Sequence, residues 1–383
     1  MYYRTMGDIP HKRHTKFKKE DGNLYREQVM GTKGFSGTQS ILYHHYLPTE
    51  VVKSEVLSSY LPEYEEHTAL NHRHLMTTSI QKSGNAIDAR EYLLGNSDLL
   101  IGTANVTEEM KNHYRNGDGD ELLYIHHGTG KVETMFGTLS YRSGDYVIIP
   151  IGTIYRVVPA EDTKILFIES FSQITTPRRY RNEYGQLLEH SPFCERDFRG
   201  PEVLETHHEK GEYKVLTKSR GYIHSHILGH HPLDVVGWDG YLYPWVFNIE
   251  DFEPITGRVH QPPPVHQTFE GHNFVVCSFV PRLYDYHPEA IPAPYYHSNV
   301  NSDELLYYVE GNFMSRKGIK EGSITLHPSG IPHGPHPGTT EASIGKKETL
   351  ELAVMIDTFK PLKIVKKAQE IEDKNYMFTW IEK

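Results

Sequence analysis

DELLY at Asp120–Tyr124 recurs as DELLY at Asp303–Tyr307, and the two copies sit inside longer stretches that agree feature by feature. The first reads HYRNGDGDELLYIHHGTG from His113 and resumes as FGTLSYRSGDYVIIPIGTIYRV from Phe136. The second reads HSNVNSDELLYYVEGNFMSRKG from His297 and continues as IKEGSITLHPSGIPHG from Ile319. Each opens on a histidine followed closely by an asparagine and passes through an acidic pair into a strand. Each then turns at glycine, enters a second strand after Gly-Asp or Gly-Ser, and ends at a Pro-x-Gly turn. Ordered self-similarity over about 40 residues marks a duplicated unit.

Around these copies the chain is written in short apolar or alternating runs: Glu121–His126, Gly137–Tyr141, Tyr146–Pro150, Thr163–Glu169, Phe274–Val280, Leu305–Val309, Ser323–His327 and Leu350–Asp357. Turn residues separate them, with 31 Gly and 23 Pro in 383 residues. Short strands at such spacing predict an all-β sandwich or barrel. Helical periodicity is confined to Ser54–Glu66 and Val365–Tyr376. The expected architecture is a pair of jelly-roll domains in tandem. An arm over residues 1–35 precedes a first domain over 36–200 and a second over 201–383, with the divide in the polar stretch Ser191 to Glu212. The repeat is the signature of cupins, small double-stranded β-barrels with a metal at the mouth, and the chain resembles a bicupin.

Composition narrows the class. A formal net charge of −10 argues against general affinity for nucleic acid, whose phosphates attract basic faces. The one basic cluster, His11 to Lys19, is expected as a solvated arm or subunit contact. No run approaches the roughly 18 apolar residues of a spanning helix, and the N-terminus lacks the apolar segment of a secretory signal. Two cysteines, Cys194 and Cys277, make no disulfide framework and no CxxC metal pair. A reduced, cytoplasmic protein is the expectation. Histidine, the commonest transition-metal ligand, occurs 25 times.

In the second copy His297, Glu304 and His333 form a candidate ligand set. Two imidazoles and a carboxylate on one face of an ion leave positions open, the arrangement of non-haem Fe(II) enzymes that use O₂. His297 and Glu304 are an odd number of residues apart, so the turn-forming Asn299–Ser302 must reset the strand phase. A single histidine in a β protein is ordinarily a surface or satisfied core residue; three residues at the expected places of one barrel motif are not read that way. Asn299 and Asp303 are candidates to orient the histidines. In the first copy, aligning Gly144 with Gly322 sets Tyr155 opposite His333. That barrel keeps His113 and Glu121 but lacks the second imidazole, and it is expected to be a metal-free scaffold.

Four stretches refine the resemblance: DVVGWDGYLYPWVFNIEDF (Asp234–Phe252), GRVHQPPPVHQTF (Gly257–Phe269), APYYHSN (Ala293–Asn299) and TLHPSGIPHGP (Thr325–Pro335). In that order they resemble the C-terminal half of homogentisate 1,2-dioxygenases. The resemblance implies an Fe(II)-dependent extradiol-type dioxygenase that converts homogentisate and O₂ to 4-maleylacetoacetate in tyrosine and phenylalanine catabolism. Iron ligands would be His297, Glu304 and His333. His260 matches the acid/base histidine, with His266 as the fallback, and His327 matches a further active-site histidine. His333, Phe313, Tyr296 and Asn299 fall at substrate-contacting positions, and family members assemble as trimers and hexamers. Phe313 stands where typical members carry a substrate-holding tyrosine, which Tyr295 or Tyr308 would have to replace. Ser298 stands where an arginine usually follows the first histidine. Arg282 and Arg316 are candidates for the substrate carboxylate. These departures bear on which aromatic acid is taken. The competing readings are a bicupin dioxygenase on gentisate, whose enzymes use three histidines at the metal, or on a salicylate; a non-catalytic ligand-binding cupin; and a zinc or manganese sugar isomerase.

Overall fold

The structure, a computed structural model, describes residues 2–66, 69–260, 263–311, 313 and 318–381. Strands dominate it, and the one α-helix among the described residues is the short turn Thr339–Ser343. Around the first DELLY copy, Asp120–His127 pairs antiparallel with both Asp145–Ile149 and Thr163–Ser170 at the centre of a nine-stranded sheet. A seven-stranded sheet containing Gly137–Tyr141, Gly130–Thr134, Tyr155–Pro159 and His113–Asn116 covers its inner face. Around the second copy, Asp303–Glu310 lies between Ser323–His327 and Leu352–Thr358 in a six-stranded sheet. The two units are cupin barrels in tandem, as the repeat implied.

Period-two alternation decides which side chains see which core. Along Asp120–His127, Leu123 and Ile125 join Val132, Val147, Ile149, Val157 and Phe167 in the first barrel's own lumen. Leu122 and Tyr124 face the other way, into a larger cluster that takes in Leu305, Tyr307, Ile324 and Ile356 of the second barrel. The surface between the barrels is therefore the main hydrophobic core, at roughly 1.5–3 kcal/mol for each large side chain removed from water. Polar ties cross it as well. The Tyr307 hydroxyl meets Nδ1 of His126 at 2.9 Å, whose Nε2 contacts Glu321 at 2.7 Å.

Pairing runs across the expected divide at residue 200. Arg73–Met76 pairs with Ser323–His327 as the edge of the second barrel's sheet, and Lys363–Ile364 pairs with Arg90–Gly95 at the edge of the first. Trp245–Asn248 also joins the first barrel, against Asp145–Ile149. Parts of the expected arm are built into a sheet, while residues 11–16 of its basic cluster lie exposed. Arg4–Gly7 and Arg26–Gly31 are two strands of a four-stranded sheet, and Arg13 of the basic cluster is paired with the buried carboxylate of Asp239 at 2.5 Å.

Both helical expectations are corrected. Lys53–Ser59 is an exposed edge strand along Tyr222–His230, where backbone pairing overrides its helical spacing. The stretch from Val365 holds a 3₁₀ segment, Lys366–Ile371, and a second follows at Tyr376–Trp380, in place of one amphipathic helix.

Candidate metal centre

Aspartate and glutamate of the repeated DELLY divide two tasks by the alternation of the strand. Asp303 points to one face, where its carboxylate accepts backbone N–H groups of Ser329 (2.8 Å) and Leu362 (2.7 Å). Asp120 does the same in the first barrel with Ile151 and Ile174, both at 2.9 Å. Asp303 thus ties two loops together and does not orient the histidines. Asn299 contributes its backbone carbonyl to the Gly330 N–H at 3.3 Å.

Glu304 points the other way, into the lumen. Its Oε2 lies 3.5 Å from Nε2 of His297 and 3.2 Å from Nε2 of His333. One ligand atom from each of the three residues falls within 4.8 Å of the others. The two histidines arrive together because their backbones pair, each N–H donating to the other's carbonyl at 2.9 Å. The turn after His297 resets the strand phase as expected. Burial by itself would raise the Glu304 carboxyl, but the close imidazoles of His297, His327 and His333 outweigh it and hold the group well below the usual carboxylate range.

The first barrel shows what this arrangement becomes when the protein supplies its own cation. Tyr155 is the register partner of Tyr114, as His333 is of His297. Tyr114 precedes Glu121 by seven residues, the separation of His297 from Glu304. The counterpart of His297 is therefore Tyr114, which corrects the expectation for His113. A one-residue slip along a strand turns the side chain to the opposite face. There the His113 ring meets His231 at 5.2 Å, and burial lowers its pKa to about 3. Inside the first barrel Tyr155 donates to Glu121 at 2.6 Å, and the buried Arg90 guanidinium bridges Glu121 (2.5 Å) and Glu169 (2.6 Å). Lys218 pairs with the same Glu169.

Glu121 stands opposite Glu169 across the ladder, and Glu304 stands opposite Asp357 in the same way. Among the described residues neither Glu304 nor Asp357 has a Lys or Arg ion partner. Asp357 Oδ1 is buried without a hydrogen bond, and burial together with the Glu304 charge raises the Asp357 carboxyl to about 7. Nε2 of His333 is likewise buried without a hydrogen bond despite its 3.2 Å approach to Glu304. Buried charge of this kind calls for a counter-ion. Imidazole and carboxylate donors fit a divalent metal.

Around this group the remaining predicted residues separate. His327 is fully buried behind Glu304, with Nδ1 at 2.8 Å from Oε1 and Nε2 at 3.2 Å from the Tyr376 hydroxyl. His260 is partly exposed and makes an edge contact with Tyr295 (5.2 Å), whose ring in turn meets His297 (6.1 Å). His266 is buried and stacked on Phe279 at 4.5 Å, and burial, with Arg282 and His260 nearby, lowers its pKa to about 3. Phe313 packs edge-on to Tyr308 at 4.6 Å. Tyr296 is largely exposed, but its base lies so close to Gly334 that a side chain there would collide. Arg316 lies outside the described residues. Sequence reasoning missed the C-terminal cap, in which Trp380 stacks on His336 at 4.1 Å and contacts His72, which also meets His327. No periodic signal marks such contacts in advance.

Sequence profiles described as homogentisate 1,2-dioxygenase N-terminal and C-terminal match residues 79–249 and 253–382. The chain belongs to the homogentisate 1,2-dioxygenase family. A relative from Saccharolobus solfataricus, whose name assigns dioxygenase activity provisionally, is 44% identical over 99% of both chains. The homogentisate 1,2-dioxygenase of Rhizobium rhizogenes is 28% identical over 71% of this chain and 63% of its own. That of Nitrobacter hamburgensis is 28% identical over 67% and 59%. The match thus spans about three fifths of the length of these named enzymes.

Proposed function

We propose that the chain is an Fe(II)-dependent extradiol-type dioxygenase that opens the ring of homogentisate or a close hydroxylated phenylacetate to give 4-maleylacetoacetate. The observation that carries the proposal is the convergence of His297, Glu304 and His333 beside a second buried acid, Asp357, which has no Lys or Arg ion partner among the described residues. Ferrous iron held by these residues would supply Lewis acidity toward the phenolate and the redox chemistry that activates O₂.

The chain's own groups have separate tasks. His297, His333 and Oε2 of Glu304 hold the ion. Phe279, Leu306, Tyr308 and Phe313, a small apolar cluster, keep water from the lumen. His260 takes the phenol proton as the general base. Arg282, which lies over the Phe279 ring at 5.5 Å, is the anchor for the substrate carboxylate. A carboxylate among the ligands favours this reading over the three-histidine gentisate type. Trimeric or hexameric assembly in a reduced cytoplasm belongs to the same reading. Exposed Tyr286, Tyr295, Tyr296 and Val300 offer apolar surface for such assembly.

The test is O₂ uptake by protein reconstituted anaerobically with Fe(II) and offered homogentisate, gentisate and catechol, with the maleylacetoacetate absorbance followed. Uptake with homogentisate that disappears in His333→Ala supports the proposal. Turnover that survives His333→Ala refutes the ligand assignment.

A further inference from the structure

Glu304 has two carboxylate oxygens with different surroundings. Oε2 faces His297 and His333, whereas Oε1 is held by Nδ1 of His327 at 2.8 Å. The other nitrogen of that ring, Nε2, lies 3.2 Å from the hydroxyl of Tyr376, 49 residues downstream. We propose that Tyr376 is a positioning residue which fixes the tautomer of His327 and so aims a single oxygen of Glu304 at the metal. The inference rests on the metal-centre reading above and deepens it.

A carboxylate that ligates a metal only accepts hydrogen bonds, so Nδ1 of His327 must carry the proton that Oε1 receives. In the neutral ring Nε2 then presents a lone pair, and His327 is fully buried, so that lone pair needs a donor. The Tyr376 O–H is that donor. Without it the ring is free to carry its proton on Nε2, which turns a bare nitrogen toward Oε1 and repels the carboxylate. Partners beyond the ligands set ring orientation and metal affinity in this manner.

The surroundings of Tyr376 suit a fixed donor. The residue is 1% exposed, and its ring meets Trp380 (5.1 Å), His74 (5.4 Å) and His336 (6.1 Å). Its segment is clamped to the barrel because Arg73, on the edge strand, binds Glu372 at 2.8 Å. The Asp373 N–H also donates to the His74 carbonyl at 2.9 Å.

The experiment titrates Co(II) alone into wild-type full-length protein, Tyr376→Phe, His327→Gln and the double variant, reading affinity and the visible d–d spectrum. Tyr376→Phe keeps the ring contacts and removes one hydroxyl; it is expected to weaken Co(II) binding about tenfold and to shift the d–d bands. Glutamine at 327 donates an amide N–H to Oε1 with no tautomer to fix, so in that background Tyr376→Phe is expected to change neither affinity nor spectrum. Two results overturn the inference while leaving the metal centre standing. One is Co(II) uptake by Tyr376→Phe indistinguishable from wild type; the other is an equal loss in both backgrounds, which would mark Tyr376 as packing only. Failure of the wild-type protein to take up Co(II) overturns the metal-centre reading and this inference together.

Discussion

Replacing Arg90 by methionine isolates the internal cation of the first barrel. The guanidinium is 5% exposed and bridges Glu121 and Glu169, each 1% exposed, at 2.5 and 2.6 Å. Methionine fills much of the same volume but carries no charge, so two buried carboxylates are left with Lys218 alone. Removing one partner from a buried ion pair costs about 3–5 kcal/mol. For a chain of this size that corresponds to a fall in Tm of roughly 4–6 °C. Thermal melts followed by circular dichroism, with the second barrel metal-loaded, measure it. Arg90→Met/Glu121→Gln is expected to recover part of the loss, because one of the two stranded charges is then gone, and metal content stays at that of wild type. A melting temperature for Arg90→Met within about 1 °C of wild type would refute the reasoning, since surface-like pairs of that worth contribute under about 1 kcal/mol.

Two further outcomes follow from the second barrel. In metal-stripped protein Asp357 titrates near 7 instead of its ordinary 3.8, so the folded state binds a proton that the unfolded chain has released. The contribution of Asp357 to stability is then full below pH 3.8 and is lost as pH rises toward and through 7. Asp357→Asn should flatten that part of the melting profile, and parallel profiles for the two proteins would contradict the assignment. His260→Ala should lower kcat by about 10²–10⁴-fold with metal content intact, whereas His266→Ala, a change to a buried and uncharged ring, should lower Tm more than kcat. An undiminished rate in His260→Ala removes the proposed base.

Strand positions and the convergence of His297, Glu304 and His333 were legible in the sequence because both depend on local spacing. Gly137–Tyr141 and Ser323–His327 fold with the bounds their alternation implied, and the repeated pentapeptide carries Glu304 into the lumen. The His113 assignment failed because identity of residue type was followed where count was decisive. Seven residues separate Tyr114 from Glu121 and His297 from Glu304, and that spacing sets the face. Ser54–Glu66 misled for a related reason: its apolar spacing suits a helix, yet a free strand edge on Tyr222–His230 offered backbone partners. His327 and Tyr376 meet through tertiary packing alone, as do Arg90 and Glu121, so no periodicity announces either pair.

The exchanged edge strands impose an order of assembly. Arg73–Met76 emerges early in synthesis, yet its partner Ser323–His327 is made some 250 residues later. Until then this segment must wait unpaired, beside a first barrel that itself lacks Lys363–Ile364. Neither half can close its sheet alone, so cutting the gene between the barrels would yield two sticky fragments rather than two working modules.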